Sequence, residues 1–236
     1  MLVCIEGIDG SGKGTVTNLV TEKLKNEFAK TVATMSFPQY TKNTFGELAG
    51  KYLNGEFGKA HPYLVGTLFS LDRYESKYRL DGLVGGTYFD PKYDFVLLDR
   101  YTPSNVAYCA AKGTSFEEAQ TFAEHFLWLE HGLLDLPLPA KIIYLDIDTK
   151  LAIENVAKKN ARVYTDKTHD IHEADFNYLD RVNRFYRNDL SNLYADCLGL
   201  DRSRYITVKC SDENGLRSFD CIVSDILKSL ELTTNG

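Results

Sequence analysis

A chain of 236 residues, 44% hydrophobic and 25% charged, is long enough for one domain with insertions and buries roughly 70–75% of its unfolded surface. Its formal net charge of −6 argues against a duplex nucleic acid partner, which requires a dense basic face. No apolar run approaches the ~20 residues of a membrane span, and no basic segment followed by an apolar one marks a secretory signal. Five scattered cysteines (Cys4, Cys109, Cys197, Cys210 and Cys221), never spaced Cys-x-x-Cys, suit free thiols in a reducing compartment. The expectation is a soluble, cytoplasmic protein without a nucleic acid or membrane partner.

In chain order, short apolar runs alternate with helical patterns. The strands are expected at Leu2–Glu6, Thr31–Phe37, Phe95–Asp99, Lys141–Ile147 and Tyr205–Lys209, each nearly continuously apolar, as parallel strands covered on both faces are. Helices are expected over Thr15–Phe28, Tyr63–Leu80, Ser115–His131, Ile171–Leu198 and Gly215–Leu230. In the second of these, Leu64, Leu68, Leu71 and Tyr78 form the candidate core stripe. The alternation predicts an α/β fold, a doubly wound five-stranded parallel sheet with helices on both faces and ligands at the carboxyl ends of its strands. No repeat or linker divides the chain, so residues 1–236 read as a single domain. The polar, weakly periodic stretch at about 158–170 reads as a mobile excursion, a lid, between two helices.

"GIDGSGKGT" lies directly after the first strand and before the first helix. Gly7, Gly12 and Lys13 supply a G-x-x-x-x-G-K phosphate loop, with Asp9, Gly10, Ser11, Gly14 and Thr15 completing the ATP-binding stretch. Glycines let successive N–H groups turn inward, the helix N-terminus adds positive potential, and Lys13 carries a point charge to the β- and γ-phosphates. A dinucleotide fingerprint beginning at Gly10 and Gly12 fails, because Thr15 occupies its last position. Gly14 stands where a hydroxyl ligand for magnesium is usual; Thr15 can hold Mg²⁺ through water, since that ion keeps several waters. The G-K-G-T form resembles that of adenylate kinases.

"FVLLDRY" brings Asp99 to the end of a buried strand beside that loop, a second candidate metal ligand along with Asp9. A hydrolytic ATPase commonly has Glu after this Asp, whereas Arg100 follows here, and there is no Asn-Lys-x-Asp base reader of a GTP switch. An arginine beside the phosphates suits neutralising two phosphorylated substrates at once.

"IEGIDGSGKGT", "FPQY", "LFSLDR" and "DRYTPSNVAY", in this order and spacing, resemble the thymidylate kinases. The likeness runs from Met1 to about Tyr186 and includes "NGEFG", "LPLP" and "RVNRFY". It implies transfer of the γ-phosphoryl of Mg-ATP to dTMP, giving dTDP and ADP, by a homodimer. Phe69 and Arg73 are i,i+4 on one helix face, so a ring and a guanidinium project together to stack on a pyrimidine and donate to its O4. Cytosine presents an amino donor there and would be rejected. The resemblance places Ser104 and Asn105 near the thymine N3 and O2 edge and Tyr108 beneath the deoxyribose, with no room for a 2′-hydroxyl. It gives Asp9 the 3′-hydroxyl or the positioning of the substrate phosphate, makes Pro38 a rigid turn and directs Tyr40 toward the loop carboxylate, with Phe37, Pro38 and Tyr40 counted as substrate-binding.

The departures from the family pattern are local. Gln39 and Tyr40 stand where many members carry a phosphate-binding arginine, so Arg100, Arg73 and Lys13 must carry more of the charge. Position 10 is glycine, not the arginine of the eukaryotic-type loop. Members without that arginine place arginines in the lid; of Lys158, Lys159, Arg162 and Lys167, only Arg162 can fork onto phosphate oxygens, so it joins Lys13, Arg100 and Asp9 as a catalytic candidate. Asp170 and Glu173 match acidic positions near the substrate ribose. Two alternatives stay open: a deoxynucleoside or broad-specificity nucleoside monophosphate kinase, and a non-catalytic nucleotide-binding module.

Overall fold

Five parallel strands, β1 (Leu2–Glu6), β2 (Val32–Ser36), β3 (Phe95–Asp99), β4 (Lys141–Asp146) and β5 (Tyr205–Lys209), form one sheet in the order β2-β3-β1-β4-β5. The computed structural model describes residues 1–84, 92–162, 176–213 and 215–232. The three central strands are almost wholly buried, Val3, Cys4, Ile5, Leu97, Leu98, Ile142 and Ile143 to 0% exposure. Burying one such side chain contributes about 1.5–3 kcal/mol. The edge strands "VATMS" and "YITVK" alternate with solvent, which is why they carry hydroxyl and lysine residues.

Around the sheet lie α1 (Lys13–Asn26), α2 (Thr44–Leu53), α3 (Pro62–Glu75), α4 (Lys77–Val84), α5 (Thr102–Ala110), α6 (Phe116–Leu127), α7 (Thr149–Arg162), α8 (Phe176–Asn188), α9 (Leu190–Leu198) and α10 (Phe219–Ser229). A short antiparallel pair, Ser211–Asp212 with Gly215–Leu216, precedes α10. No helix among the described residues is long and apolar enough to cross a membrane. All five cysteines are free, three of them buried.

Three long helical patterns are broken where the sequence alone shows no break. Tyr63–Leu80 divides at Ser76 into α3 and α4. Ser115–His131 becomes α6 followed by a π-helical turn, Trp128–Leu133. The described part of Ile171–Leu198 divides at Asp189 into α8 and α9. The expected leucine stripe of α3 is also corrected: Leu64 is 54% exposed and Tyr78, on α4, 88%. The buried face of α3 is instead Val65, Gly66, Leu68, Ser70, Asp72 and Arg73. Close approach of α6 selects it, because a Cβ on Gly66 would sit 2.1 Å from the Phe126 ring. A glycine is required there so that the ring can lie flat on the helix backbone.

Candidate active site

Between β1 and α1 the chain turns through Gly7 (φ +148), Gly10 (φ +85) and Gly12 (φ +85), conformations that side chains with a Cβ rarely adopt. Gly12 caps α1 in the left-handed region without any side-chain cap, so the helix N-terminus is open to an anion. Lys13 is 7% exposed and its ammonium donates to the Ile8 carbonyl at 2.9 Å, which also accepts the Ser11 N–H at 3.2 Å. Helix α7 packs on the same loop. Asn155 on α7 donates to the Gly10 carbonyl at 3.0 Å, and a Cβ on Gly10 would lie 2.0 Å from the Ala152 carbonyl oxygen. Position 10 is glycine because backbone, and not solvent, occupies the space beside it.

Beside this loop, β3 delivers Asp99 and Arg100. Arg100 holds φ +66, a left-handed conformation that costs roughly 1–2 kcal/mol in a residue other than glycine. The strain is fixed by neighbours: its N–H donates to Ile5 O at 3.1 Å, and Phe37 N–H donates to Asp99 O at 3.0 Å. The conformation aims the guanidinium at Asp9, with which it forms a salt bridge. Tyr108 donates its hydroxyl to the other Asp9 oxygen at 3.0 Å, and the Arg100 guanidinium lies 5.1 Å above the Tyr108 ring. Burial by itself would raise the Asp9 pKa; Arg100 and Lys13, helped by the Tyr108 hydroxyl, reverse this and hold the carboxyl well below its usual range.

Burial acts the other way on Lys13. With Arg100 nearby it pushes the ammonium pKa down to about 8, although Asp9 and Asp99 offset part of the effect. The charged form is the one that grips phosphate, so ATP binding by the free protein must take up a proton above that pH. We expect the dissociation constant for ATP to be flat below about pH 8 and to rise toward tenfold per unit above it. Calorimetry in buffers of different ionisation enthalpy would read the proton uptake directly; a flat affinity to pH 9.5 would sink the assignment.

A cleft of about 770 Å³, measured with its open mouth, leads from Asp9 and Arg100 along α3 and α5. Its walls bring together the residues singled out from the sequence on the base side: Phe37, Pro38, Tyr40, Phe69, Arg73, Ser104, Asn105 and Tyr108. The Phe37–Pro38 peptide is cis. Arg73 is 3% exposed, its Nη1 donating to Phe69 O at 2.8 Å and to Glu130 Oε1 at 3.1 Å, and its Nη2 to Tyr101 O at 2.7 Å. The Phe37 ring lies 5.7 Å beneath its guanidinium. Phe69 meets Tyr52 edge-on at 6.5 Å.

Several features were not visible in the sequence. Glu6, the last residue of β1, is wholly buried and accepts from Tyr101 N–H at 2.7 Å, Ser104 Oγ at 2.5 Å and Tyr186 Oη at 2.9 Å. Burial raises its pKa, with the Ser104 and Tyr186 bonds opposing. Glu6 thus pins the N-terminus of α5, and the Ser104 hydroxyl is directed at it. The only signal for it was an acid ending an apolar strand. Lys112, Cys109, Val65, Leu53 and Tyr178 also line the cleft, Lys112 donating to the Tyr52 hydroxyl at 3.0 Å. Gln39 is 2% exposed and turned away from the cleft: its amide donates to Ser36 O, its Oε1 accepts from Arg79 at 3.4 Å, and its N–H bonds Asp72. It is a structural residue, and Arg100 lines the cleft without an arginine at position 39. Arg162 ends α7, but its side chain, with Asp170, Glu173 and most of the lid, lies outside the described residues.

A glycine-lined phosphate loop between strand and helix, with Lys13 at its end and an acceptor cleft opening beside it, defines a P-loop phosphotransferase of the nucleotide kinase type. The profile of the thymidylate kinase family matches residues 5–195. The chain is similar to the thymidylate kinase of Mycobacterium tuberculosis, 34% identical over 192 residues that cover 79% of this chain and 84% of the relative. It is similar also to that of Schizosaccharomyces pombe, 30% identical over 152 residues, 64% of this chain and 63% of the relative. A solved thymidylate kinase from Candida albicans shares the fold, with a TM-score of 0.64 at 22% identity over 98% of this chain and 90% of that one. The chain belongs to the thymidylate kinase family.

Proposed function

We propose that the protein moves the γ-phosphoryl of ATP to dTMP, giving dTDP and ADP, within one kinase domain whose lid lies between α7 and α8. The observation that carries this is the cleft joining a half-buried aromatic, Phe69, and a buried guanidinium, Arg73, to Arg100 and to Asp9 of the phosphate loop. In-line transfer asks the protein chiefly to position two anions and offset their charge. Lys13 and the open N-terminus of α1 hold the donor phosphates. Arg100, already fixed by Asp9, faces the phosphate of the acceptor. Tyr108, packed under Arg100 and bonded to Asp9, forms a rigid floor for the sugar that excludes a 2′-hydroxyl.

The donor set fits a magnesium ion carried with ATP. A Cβ at Gly14 would lie 3.4 Å from Asp99 Oδ2, so a carboxylate occupies the neighbourhood of the missing hydroxyl, with exposed Thr15 beside it. Asp99 would hold the ion, through water or directly, and Thr15 would assist; Asp9 already has both oxygens engaged and is the weaker ligand. When bound, Mg²⁺ offsets charge on the transferring phosphate. The lid segment at about 158–170 is read as the element that excludes water, with Arg162 supplying a guanidinium to the transferred phosphate and Asp170 and Glu173 contacting the acceptor ribose. We read the chain as cytoplasmic and as a homodimer; exposed Leu64, Trp128 and Leu133 are apolar surface that self-association would cover, which sedimentation of the full chain reads directly.

Turnover on dTMP, dUMP, dCMP, UMP and AMP tests the acceptor assignment. We expect dTMP to be preferred, and Arg73→Ala to reduce discrimination against dCMP by about 1–3 kcal/mol. Equal rates on dCMP and dTMP in the unaltered protein would remove Arg73 from base reading, and equal rates on UMP and dUMP would remove Tyr108 from sugar selection.

A further inference from the structure

Glu130 lies in the π-helical turn after α6 and is wholly buried, yet it belongs to no phosphate or metal group. The wide turn rotates it inward while Trp128 and Leu133, in the same turn, remain 57% and 60% exposed. Its Oε1 accepts from three side chains on two other helices: Arg73 Nη1 at 3.1 Å, Asn105 Nδ2 at 2.9 Å and Ser70 Oγ at 3.0 Å. Its Oε2 has no partner among the described residues, and neither has Arg73 Nε. A buried carboxyl with one oxygen crowded and the other bare is a poor stabiliser, since apolar packing of the same volume would cost less. Stability does not account for it.

What this acid does instead follows from the donors it consumes. Both hydrogens of Arg73 Nη1 are taken, by Phe69 O and Glu130, and one on Nη2 by Tyr101 O. The Nε–H is buried without a partner, so the second Nη2–H is the donor left for the cleft that Arg73 lines. Asn105 Nδ2 is surrounded by Gly66 O at 3.0 Å, Ser70 Oγ at 3.0 Å and the Glu130 oxygen. The first and last of these can only accept from it, so the amide orientation is fixed; Oδ1 takes a weak S–H bond from Cys109 at 3.6 Å and keeps its second lone pair for a ligand. The cleft therefore offers a donor from Arg73 next to an acceptor from Asn105. A 4-oxo pyrimidine, with its O4 acceptor and N3–H donor, complements that pair; cytosine presents the reverse pattern at both atoms.

We propose that Glu130 is the positioning residue for base selection, holding Arg73 and Asn105 in the one arrangement that presents donor beside acceptor to a 4-oxo pyrimidine. The inference rests on the thymidylate reading and adds a residue outside the substrate's reach. Glu130→Gln keeps the shape, removes the charge facing Arg73, and places an amide where the Asn105 and Ser70 donors converge. The ratio of kcat/KM on dTMP to that on dCMP should fall by at least about tenfold, mainly through KM for the nucleoside monophosphate, with KM for ATP unchanged. A variant that loses rate equally on both acceptors, with the ratio retained, would show a purely structural role and overturn the proposal. If Glu130→Gln does not fold, Ser70→Ala, which removes one contact to the same oxygen, should lower the ratio by about threefold or more, and an unchanged ratio is again fatal. An unaltered protein that turns over no dTMP would instead remove the reading on which the inference stands.

Discussion

Lys13→Ala is expected to lower kcat for phosphoryl transfer by a factor on the order of 10²–10³ or more, while the protein remains folded. The ammonium is buried at the phosphate loop and, among the described residues, donates to the Ile8 carbonyl. Removing it relaxes little, because Ile8 O still accepts the Ser11 N–H. What is lost is a positive charge in a low-dielectric site where the bridging and γ oxygens gain charge, and no neighbour replaces it. Arg100 is committed to Asp9. Single-turnover rates with saturating ATP and dTMP, beside a thermal melt, check this. A variant that melts normally and retains more than about a tenth of the rate would show that Lys13 is not the donor-side cation.

Gly10→Ala should be nearly as damaging by a different route. The added methyl would lie 2.0 Å from the Ala152 carbonyl oxygen and 2.6 Å from its carbon, both backbone atoms of α7. At φ +85 the left-handed strain alone costs about 1–2 kcal/mol, and forcing loop and helix apart adds about 1–3 kcal/mol. At roughly 2–4 °C per kcal/mol for a chain of this size, the melting temperature should drop by about 4–20 °C. Because Asn155 ties α7 to the Gly10 carbonyl, the same displacement opens the loop, and KM for ATP should rise. An unchanged melt together with an unchanged KM would mean that the packing of α7 on the loop is not maintained in solution. An arginine at this position would start from the same Cβ and meet the same Ala152 carbonyl, which accounts for the glycine here.

The strands were legible because burial on both faces demands continuous apolar runs, and their ends agree with the expectation to within a residue or so. Helices were legible only where one face is wet. All of α5 but Tyr108 is buried, and its small and polar side chains leave no stripe to read. The divisions at Ser76 and Asp189 carry neither glycine nor proline, so packing decides them. The exposure of Leu64 has the same origin: which side of α3 turns inward was set by Phe126 pressing on Gly66.

At the site, the phosphate loop and the Phe69–Arg73 pair could be recognised because each is local: a turn whose glycines and lysine have fixed offsets, and two residues one helical turn apart. Glu6 and Glu130 could not. Their partners lie up to 180 and 60 residues away, and an isolated glutamate carries no mark of burial. Gln39 similarly reads as a substitution at a phosphate site until its amide is found bonded to Ser36 and its backbone to Asp72. The chain by itself thus determined the chemistry that short-range spacing encodes, namely a nucleotide-phosphate grip and a paired ring and guanidinium. Tertiary structure alone decided which acids are buried to hold those groups still, and why position 10 has no side chain, because those outcomes depend on contacts between segments that share no pattern in sequence.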